Sequence, residues 1–181
     1  SPDILHKSDV GGIILNLGNT EDVCQGFKTI VTNTRLAQPE ARILGVHVQK
    51  MLPAGQEVIL GAVQDPQFGP LIMFGSGGVE VEGLKDVAFA LAPLTASDAN
   101  YLVESTWAGR KLNGFRNLPP ADKQSVVDAL HRLSQLATNL PQLAEIEINP
   151  LRVLPDGQGA YALDIRIRVS EHRLNQGEKL P

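Results

Sequence analysis

Cysteine and aromatic residues are scarce in this chain of 181 residues, which contains a single cysteine, Cys24, and 4% aromatic side chains. One cysteine excludes an internal disulfide framework and any zinc site built from several thiolates. No apolar run approaches the ~20 residues that a membrane-spanning helix requires. The N-terminus has no basic segment followed by an apolar one, as secretory signals have. We therefore expect a cytoplasmic protein that has no membrane partner.

Basic residues are also few, with 16 Lys and Arg against 20 Asp and Glu and a formal net charge of −4 at pH 7. Binding to a phosphate backbone depends on clustered positive charge, and the sequence contains no such cluster or basic arm. Apolar residues make up 43% of the chain, which is enough for a packed core. These properties predict a folded protein of one domain or two small lobes, with no nucleic-acid partner.

The first fifty residues show the pattern strand, helix, strand. An apolar run over 11–17 lies between two glycine-containing turns, which is typical of a buried strand. Asn19 or Thr20 can cap a helix that should stop before Pro39. Residues 42–52 return to an extended pattern. Because two strands and one helix bury little surface, we expect this part to be incomplete by itself.

From Glu57 onward the pattern predicts a mainly antiparallel sheet flanked by helices, which is an α+β arrangement. Short apolar or alternating runs separated by turn residues indicate strands, and apolar residues at helical spacing behind a capping residue indicate helices. We predict strands over 58–63, 70–74, 79–82, 87–91, 144–153 and 160–169, and helices from Ser97 to about Gly109 and from Asp122 onward.

The composition changes at Pro53 and again after Ser170. We therefore place a first lobe at 1–52, a second lobe at 53–170 and a tail or linker at 171–181. The chain opens with Ser1-Pro2 and not with a starting methionine. We expect it to be a piece of a longer protein.

Acidic and amide side chains alternate along one predicted strand. Glu145, Glu147 and Asn149 share one face of it, and a hairpin partner can bring Asp164 opposite that face. Such a row of hard oxygen ligands suits Mg²⁺, which takes one or two protein oxygens and completes its shell with water and phosphates. A solvated hairpin face fits the pattern equally well.

Two loops could approach phosphate. Residues 1–12 place His6 and Lys7 shortly before a glycine pair, which supplies cationic and backbone donors. A surface loop with an incidental histidine also explains this pattern, and on the pattern alone it is the better interpretation. The glycine-rich segment 75–78 matches neither Gly-x-Gly-x-x-Gly before a helix nor a Walker loop, so a tight turn is the preferred interpretation.

Four motifs follow one another in chain order: Ser1-Pro2-Asp3-Ile4-Leu5-His6-Lys7-Ser8-Asp9-Val10-Gly11-Gly12; Gln49-Lys50-Met51 with Gly55-Gln56-Glu57-Val58-Ile59-Leu60-Gly61; Asp65-Pro66-Gln67-Phe68-Gly69-Pro70 with Gly75-Ser76-Gly77-Gly78; and Glu147-Ile148-Asn149-Pro150-Leu151 with Asp164. Together they resemble the ATP-grasp domain of nucleoside-diphosphate-forming acyl-CoA synthetases. That group includes ADP-forming acetyl-CoA synthetase and, more distantly, succinyl-CoA synthetase beta chains. The resemblance implies an ATP-grasp fold with a partial first lobe and a complete second lobe.

The resemblance also implies roles for individual residues. Asn149 and Asp164 match the residues that hold Mg²⁺ on the nucleotide phosphates. His6 stands where the acetyl-CoA branch has a histidine proposed to accept phosphate, and Lys7 follows it as the second catalytic candidate. The residues implied in nucleotide binding are Gln49, Lys50 and Leu52 on the adenine side and Glu57 near the ribose.

The implied chemistry couples cleavage of an acyl-CoA thioester to ATP formation through an acyl phosphate and a phosphohistidine. It would use ATP or ADP, Mg²⁺ and, in the parent enzyme, coenzyme A. The implied partner is a CoA-binding ligase alpha domain or subunit, and we expect the parent to form a homo-oligomer. The family's ATP-binding lysine precedes the segment that matches Ser1, so we expect this piece alone to be inactive.

Two other functions remain open from the sequence. One is a degenerate ATP-grasp sensor domain of a protein acetyltransferase, and the other is a structural lobe that serves only as a subunit interface. Retention of both Asn149 and Asp164 argues against degeneration, because a sensor need not keep paired Mg²⁺ ligands.

Overall fold

The computed structural model describes residues 1–4, 7–77 and 86–170. The chain divides into two compact units, Ser1–Pro53 and Ala54–Pro181. His6, the predicted strand at 79–82 and the predicted tail at 171–181 lie outside the described residues. In the part of the chain that the structure describes, no helix combines the length and the apolar character needed to cross a membrane.

The first unit is built around helix α1, Thr20–Ala37, which follows a short 3₁₀ turn at Ser8–Val10. The Asn19 side chain caps the helix by accepting a 2.9 Å hydrogen bond from the Asp22 N–H. The helix ends two residues before Pro39. The predicted cap and the predicted end of this helix are therefore confirmed.

The two strands predicted beside this helix, at 11–17 and 42–52, are wrong. Both segments are non-helical, but neither belongs to a strand ladder among the described residues. A hydrophobic pattern shows which side chains prefer burial, whereas a strand also needs a neighbour for its backbone N–H and C=O groups. Leu15 and Leu44 are accordingly well exposed.

The second unit contains an antiparallel sheet, as predicted. Its strands are β1 Gln56–Asp65, β2 Gly69–Ser76, β3 Val87–Leu91, β4 Leu143–Val153, β5 Ala160–Ala162 and β6 Ile165–Val169. The strand order is β3-β2-β1-β4-β5, and β6 also pairs with β4.

The predicted hairpin between β1 and β2 is confirmed. Asp65 Oδ1 accepts hydrogen bonds from the N–H groups of Gln67, at 2.8 Å, and Phe68, at 2.9 Å. Gly69 then adopts a φ of +80°, in the left-handed region that a side chain disfavours. Asp65 and Gly69 therefore fix the turn and, with it, the register of the two strands.

Among its described residues, the second unit has the helices α2 Ala96–Glu104, α3 Trp107–Lys111 and α4 Lys123–Asn139. The single helix predicted from Ser97 to Gly109 is wrong, because Thr106 is extended and caps a new helix by accepting a 3.0 Å hydrogen bond from the Gly109 N–H. The cap of α2 is Thr95 and not Ser97. The predicted cap of α4 by Asp122 is confirmed by its 3.0 Å bond from the Ser125 N–H.

The hydrophobic core lies between these helices and one face of the sheet. Alternate residues of each strand point into it, as the pleat requires. The main contributors are Val58, Leu60 and Ala62 of β1, Ile72 and Phe74 of β2, Ile146, Leu151 and Val153 of β4, Leu102 and Val103 of α2, and Val126 and Leu130 of α4. Burial of each large side chain stabilises the fold by about 1.5–3 kcal/mol before the entropy cost of folding.

The strand predicted over 160–169 is two strands, β5 and β6, interrupted at Leu163 and Asp164. Both pair with β4, but opposite different parts of it. The interruption lies beside Asn149 and Pro150, where β4 contains one more residue than its partner β1 between the paired positions. The hairpin therefore bends at the residues that the sequence singled out as metal ligands.

Candidate functional site

The face of the sheet opposite the helices, here called the open face, has an apolar half and a charged half. Cross-strand pairs share a face, so the pairing of Glu145 with Val63 and of Glu147 with Gly61 places these residues together. The apolar half has Val87, Phe89 and Leu91 of β3 with Leu71 and Met73 of β2, and the charged half has Glu145, Glu147, Arg166 and Arg168 of β4 and β6.

Asn149 and Asp164 lie side by side at the charged half. The Asn149 N–H donates a 3.0 Å hydrogen bond to the Asp164 carbonyl oxygen, and the Leu163 N–H donates one of the same length to the Pro150 carbonyl oxygen. Both residues are partly exposed. Asp164 Oδ2 also lies 4.0 Å from Arg166 Nε. The structure therefore brings together the two residues that the sequence predicted as metal ligands.

The donor set at this position suits Mg²⁺ better than other metals. Across residues 1–4, 7–77 and 86–170, no group of three or more His, Cys, Asp and Glu side chains is placed to hold a metal ion. Structural Zn²⁺ needs four such ligands and Ca²⁺ six to eight oxygens. Mg²⁺ is commonly held by one or two protein oxygens together with water and substrate phosphates. The carboxylate of Asp164 and the amide of Asn149 meet that need.

The predicted row of oxygen ligands does not extend to Glu145. Both Arg168 Nη2 and Nε donate to Glu145 Oε2, at 3.0 and 3.2 Å. Glu147 pairs in register with Arg166, which lies on β6 together with Arg168. These arginines were not singled out in the sequence, although their alternation along 165–169 is the signal that places them on the acidic face.

Glu57 of β1 forms an ion pair with Arg152 of β4. Arg152 Nη2 donates a 2.6 Å hydrogen bond to Glu57 Oε1. The register explains this pair: Glu57 lies on the open face by alternation with Gly61, and the extra residue of β4 brings Arg152 onto that face while Leu151 stays buried. Sequence reasoning missed Arg152, because its face depends on that extra residue.

The remaining predicted site residues belong to the first unit. Gln49 and Lys50 are exposed and Leu52 is half-buried, all within the extended segment that precedes Pro53. Lys7 begins the short turn in the N-terminal loop, where its carbonyl oxygen accepts a 2.7 Å hydrogen bond from the Gly12 N–H. His6 lies outside the described residues.

The glycine-rich segment that ends β2 is explained by close packing. A Cβ atom on Gly77 would lie 2.5 Å from the Val58 carbonyl carbon, and a Cβ on Gly75 would collide with the Asp86 carbonyl oxygen. Side chains at these positions would therefore force two backbones apart. Gly75 and Ser76 are the last residues of β2, so they do not belong to the tight turn predicted over 75–78, and Gly78 lies outside the described residues.

Asp86 connects this strand end to helix α3. Its carboxylate accepts hydrogen bonds from the Ser76 hydroxyl at 2.7 Å, the Trp107 N–H at 2.7 Å and the Ala108 N–H at 2.8 Å. Burial alone raises the pKa of Asp86, but these hydrogen bonds outweigh it and hold the pKa below its usual value. Asp86 therefore stays charged at neutral pH and joins sheet to helix.

Comparison with known proteins agrees with this fold. The family model described as ATP-grasp domain matches residues 1–169. The chain therefore belongs to the ATP-grasp domain family. It is 46% identical over 172 residues to acetate–CoA ligase (ADP-forming) I of Archaeoglobus fulgidus, covering 94% of this chain and 24% of that protein.

Two further comparisons extend the similarity to a separate subunit and to solved structures. The chain is 43% identical to subunit beta of the corresponding ligase I of Pyrococcus furiosus, covering 92% of this chain and 71% of that subunit. It is similar to acetyl-coenzyme A synthetase 1 of Ca. Korarchaeum cryptofilum in complex with coenzyme A and Ca-AMPCP, with a TM-score of 0.87, 40% identity and coverage of 93% and 72%. The chain thus spans about a quarter of the Archaeoglobus relative and most of the Pyrococcus subunit.

Proposed function

We propose that this chain is the nucleotide-binding part of an ADP-forming acid–CoA ligase, and that it holds ATP or ADP with Mg²⁺ over the charged half of the open face. The observation that carries the proposal is the main-chain hydrogen bond of 3.0 Å that fixes Asn149 beside Asp164. Sequence similarity supports the proposal, because the similar Archaeoglobus and Pyrococcus proteins are named as ADP-forming acetate–CoA ligases. The function of a degenerate sensor or of a purely structural lobe would not require this pair.

Asn149 and Asp164 would hold Mg²⁺ through one amide oxygen and one carboxylate oxygen. Bound there, the ion neutralises negative charge on the nucleotide phosphates. The Arg166 guanidinium next to Asp164 adds a positive charge on the same side of the sheet. An arrangement of two oxygen donors and a cation suits a nucleotide phosphate group better than it suits a neutral ligand.

The rest of the nucleotide is assigned by motif position. Gln49, Lys50 and Leu52 would contact the adenine ring, and Glu57 would contact the ribose. Glu57 belongs to the second unit, and Gln49, Lys50 and Leu52 belong to the first. We propose that the units correspond to the first and second lobes of the ATP-grasp fold.

In the complete enzyme, His6 would pass a phosphoryl group to ADP, with Lys7 neutralising charge beside it. The bond between phosphorus and a histidine nitrogen breaks as a bond to a terminal phosphate oxygen of ADP forms, and the imidazole is left neutral after proton balance with solvent. Phosphoryl transfer depends on in-line positioning and charge neutralisation more than on covalent machinery. An unperturbed histidine can serve, because its neutral form is available near pH 7.

The proposed partner is a CoA-binding ligase subunit or domain. The similar Pyrococcus protein is named as subunit beta, and the similar Korarchaeum structure is a complex with coenzyme A. The Archaeoglobus relative is far longer than this chain, which covers 24% of it. Acyl-CoA cleavage would therefore take place on other parts of the enzyme, and this chain would exchange the phosphoryl group.

The nucleotide site is tested by calorimetric titration of Mg-ATP and Mg-ADP into the complete ligase, which includes the upstream ATP-binding lysine, with and without EDTA. Asp164→Ala and Asn149→Ala should each weaken Mg-dependent affinity by about tenfold or more, since each removes a group that contacts a charge. Asp156→Ala is the matched control, because Asp156 is an exposed carboxylate in the turn of the same hairpin. It should leave the affinity unchanged.

Thermal unfolding of the same variants separates binding from stability. Asn149 and Asp164 are partly exposed, so their truncation should change the melting temperature little. Equal affinity with and without Mg²⁺, or no loss in either variant, would contradict the magnesium site. If no nucleotide binds at all, the interface-lobe hypothesis becomes the better one.

The role of His6 is tested in the complete enzyme, with its CoA-binding subunit or domain present. His6→Ala should stop acyl-CoA-driven formation of ATP from ADP and leave acyl-CoA binding unchanged. Normal turnover in this variant would remove His6 from the proposed mechanism.

A further inference from the structure

We propose that Arg152 is the positioning residue that holds the Glu57 carboxylate ready to accept the ribose hydroxyls, and so sets a preference for ribonucleotides over nucleotides that lack these hydroxyls. The inference rests on the proposed function, in which Glu57 contacts the ribose. Its own content concerns Arg152, which belongs to none of the sequence motifs assigned to nucleotide binding.

The contact between the two side chains is short and partly shielded from water. Arg152 Nη2 lies 2.6 Å from Glu57 Oε1, and the two side chains are 20% and 33% exposed, respectively. Charge-assisted hydrogen bonds of this length, at limited exposure, are stronger than surface ion pairs. The pair therefore constrains the orientation of Glu57.

The geometry leaves one side of the carboxylate available. Arg152 occupies Oε1, and no described residue donates a hydrogen bond to Glu57 Oε2. A carboxylate accepts several hydrogen bonds, so Oε2 can take the two hydroxyl donors of a ribose. Holding the side chain in advance also removes the rotamer entropy that a flexible glutamate would lose on binding.

The packing around Arg152 fixes its side chain. A Cβ atom at Gly55 would lie only 3.0 Å from Arg152 Cγ, so the stem of Arg152 runs directly over that glycine. Arg152 Nε is buried and has no hydrogen-bond partner in the part of the chain that the structure describes. Buried donors are normally paired, so an unpaired Nε is unusual. We infer that packing and the Glu57 contact, and not a hydrogen bond from Nε, hold the guanidinium in place.

Arg152 also balances the charge of Glu57. A lone carboxylate on the face that carries Asn149 and Asp164 would repel the phosphates of a nucleotide. The pair is neutral overall, so Glu57 can offer an acceptor to the sugar without that repulsion. Lysine could supply the charge but not the planar donor geometry, so replacement by lysine should restore only part of the effect.

The test compares the affinities of the complete ligase for Mg-ATP and Mg-2′,3′-dideoxy-ATP by calorimetry. The wild-type ligase should prefer ATP by about tenfold, the effect of losing a hydrogen bond to a charged group. Arg152→Met keeps an unbranched apolar stem and removes the guanidinium donor. We expect it to reduce the preference to about twofold or less, and Arg152→Lys to give an intermediate value.

A double-mutant cycle assigns the effect to Glu57. In a Glu57→Ala background, adding Arg152→Met should not change the ratio of the two affinities further, because the residue being positioned is gone. A merely structural arginine would weaken both nucleotides equally and leave the ratio intact. Lys123→Met is the matched control, since it removes the 2.8 Å pair with Glu104 on other elements, and it should leave the ratio at the wild-type value.

The outcomes separate this inference from the proposed function. If the complete wild-type ligase binds neither nucleotide, the proposed function is wrong; if it binds both equally, the ribose contact of Glu57 is wrong. Either result would also contradict the positioning role of Arg152. If the wild-type ligase discriminates and Arg152→Met discriminates equally well, only the role of Arg152 is overturned.

Discussion

The two faces of the sheet in the second unit differ in composition although the same strands form both. On the face covered by helices, β1 contributes Val58, Leu60 and Ala62, all buried. On the open face the same strand contributes Glu57, the buried residues Ile59 and Gly61, and the exposed Val63, beside charged residues of β4 and β6. Alternation along β1 thus places Val58, Leu60 and Ala62 against the helices and Glu57 on the opposite face.

The comparison of the two faces predicts a large loss of unfolding free energy at one residue of β2 and a smaller loss at its neighbour. Phe74 is fully buried beneath the helices, so Phe74→Ala should lower the free energy of unfolding by about 3–5 kcal/mol through lost burial and a remaining cavity. Urea unfolding of purified protein measures this loss. An unfolding free energy within about 1 kcal/mol of wild type would show that this face does not form the core.

Met73 provides the matched control, since it precedes Phe74 and lies on the open face with partial burial. Met73→Ala should therefore cost less than Phe74→Ala in the same urea experiment. Equal losses from both substitutions would mean that the open face is as tightly packed as the covered one.

The second prediction concerns the link between sheet and helix α3. Asp86→Ala removes the acceptor for the Ser76 hydroxyl and for the Trp107 and Ala108 N–H groups. Leaving these partly buried donors unpaired should cost about 1–3 kcal/mol of unfolding free energy. Thermal and urea unfolding measure the change, and Asp156→Ala, at an exposed turn, should be neutral. A neutral Asp86→Ala would contradict its role in joining the two elements.

Local signals predicted much of the second unit. Asp65 and Gly69 specify the hairpin, and Asp122 specifies the start of α4, because turns and caps depend on residues close in sequence. The break between α2 and α3 was missed. Thr106 can sit inside a helix or cap one, and here the contact of Asp86 with the following N–H groups favours the second helix.

The candidate site was predictable only where alternation held. The nearness of Asn149 and Asp164 could be predicted, because adjacent strands of a hairpin bring the two residues opposite each other. The resemblance to ATP-grasp domains pointed to the same pair. Arg152 could not be placed, because one additional residue in β4 reverses the expected face. The strands at 11–17 and 42–52 failed for a different reason: pairing depends on a neighbour, which hydrophobic pattern does not reveal.

The third prediction is a loss of stability in acid at the join between α4 and the hairpin of β4 and β5. Hydrogen bonds from the Ser125 and Gly159 N–H groups lower the pKa of Asp122 below its usual value, against the opposing effect of burial. A carboxyl with a lowered pKa stabilises the fold above its ordinary pKa, and this contribution is lost as the pH falls through the lowered value.

Melting temperatures between pH 7 and pH 2 test this sign. Asp122→Asn should destabilise the protein at pH 7 and should reduce the difference between neutral and acidic conditions, because the titrating group is absent. Asp156→Asn, at an exposed position, provides the control. An unchanged acid dependence in Asp122→Asn would show that other carboxyl groups account for it.

The smallest effect is expected from the ion pair of Glu145 and Arg168 on the open face. Arg168 and Glu145 are 65% and 46% exposed, respectively, so water screens their attraction despite a separation of 3.0 Å. A double-mutant cycle with Glu145→Gln and Arg168→Met should give a coupling energy of about 0.2–1 kcal/mol that declines with added salt. The pair would then order side chains on the open face without contributing much to stability. A coupling energy as large as the cost of Asp86→Ala would mean that the open face also stabilises the fold, and the separation of the two faces would fail.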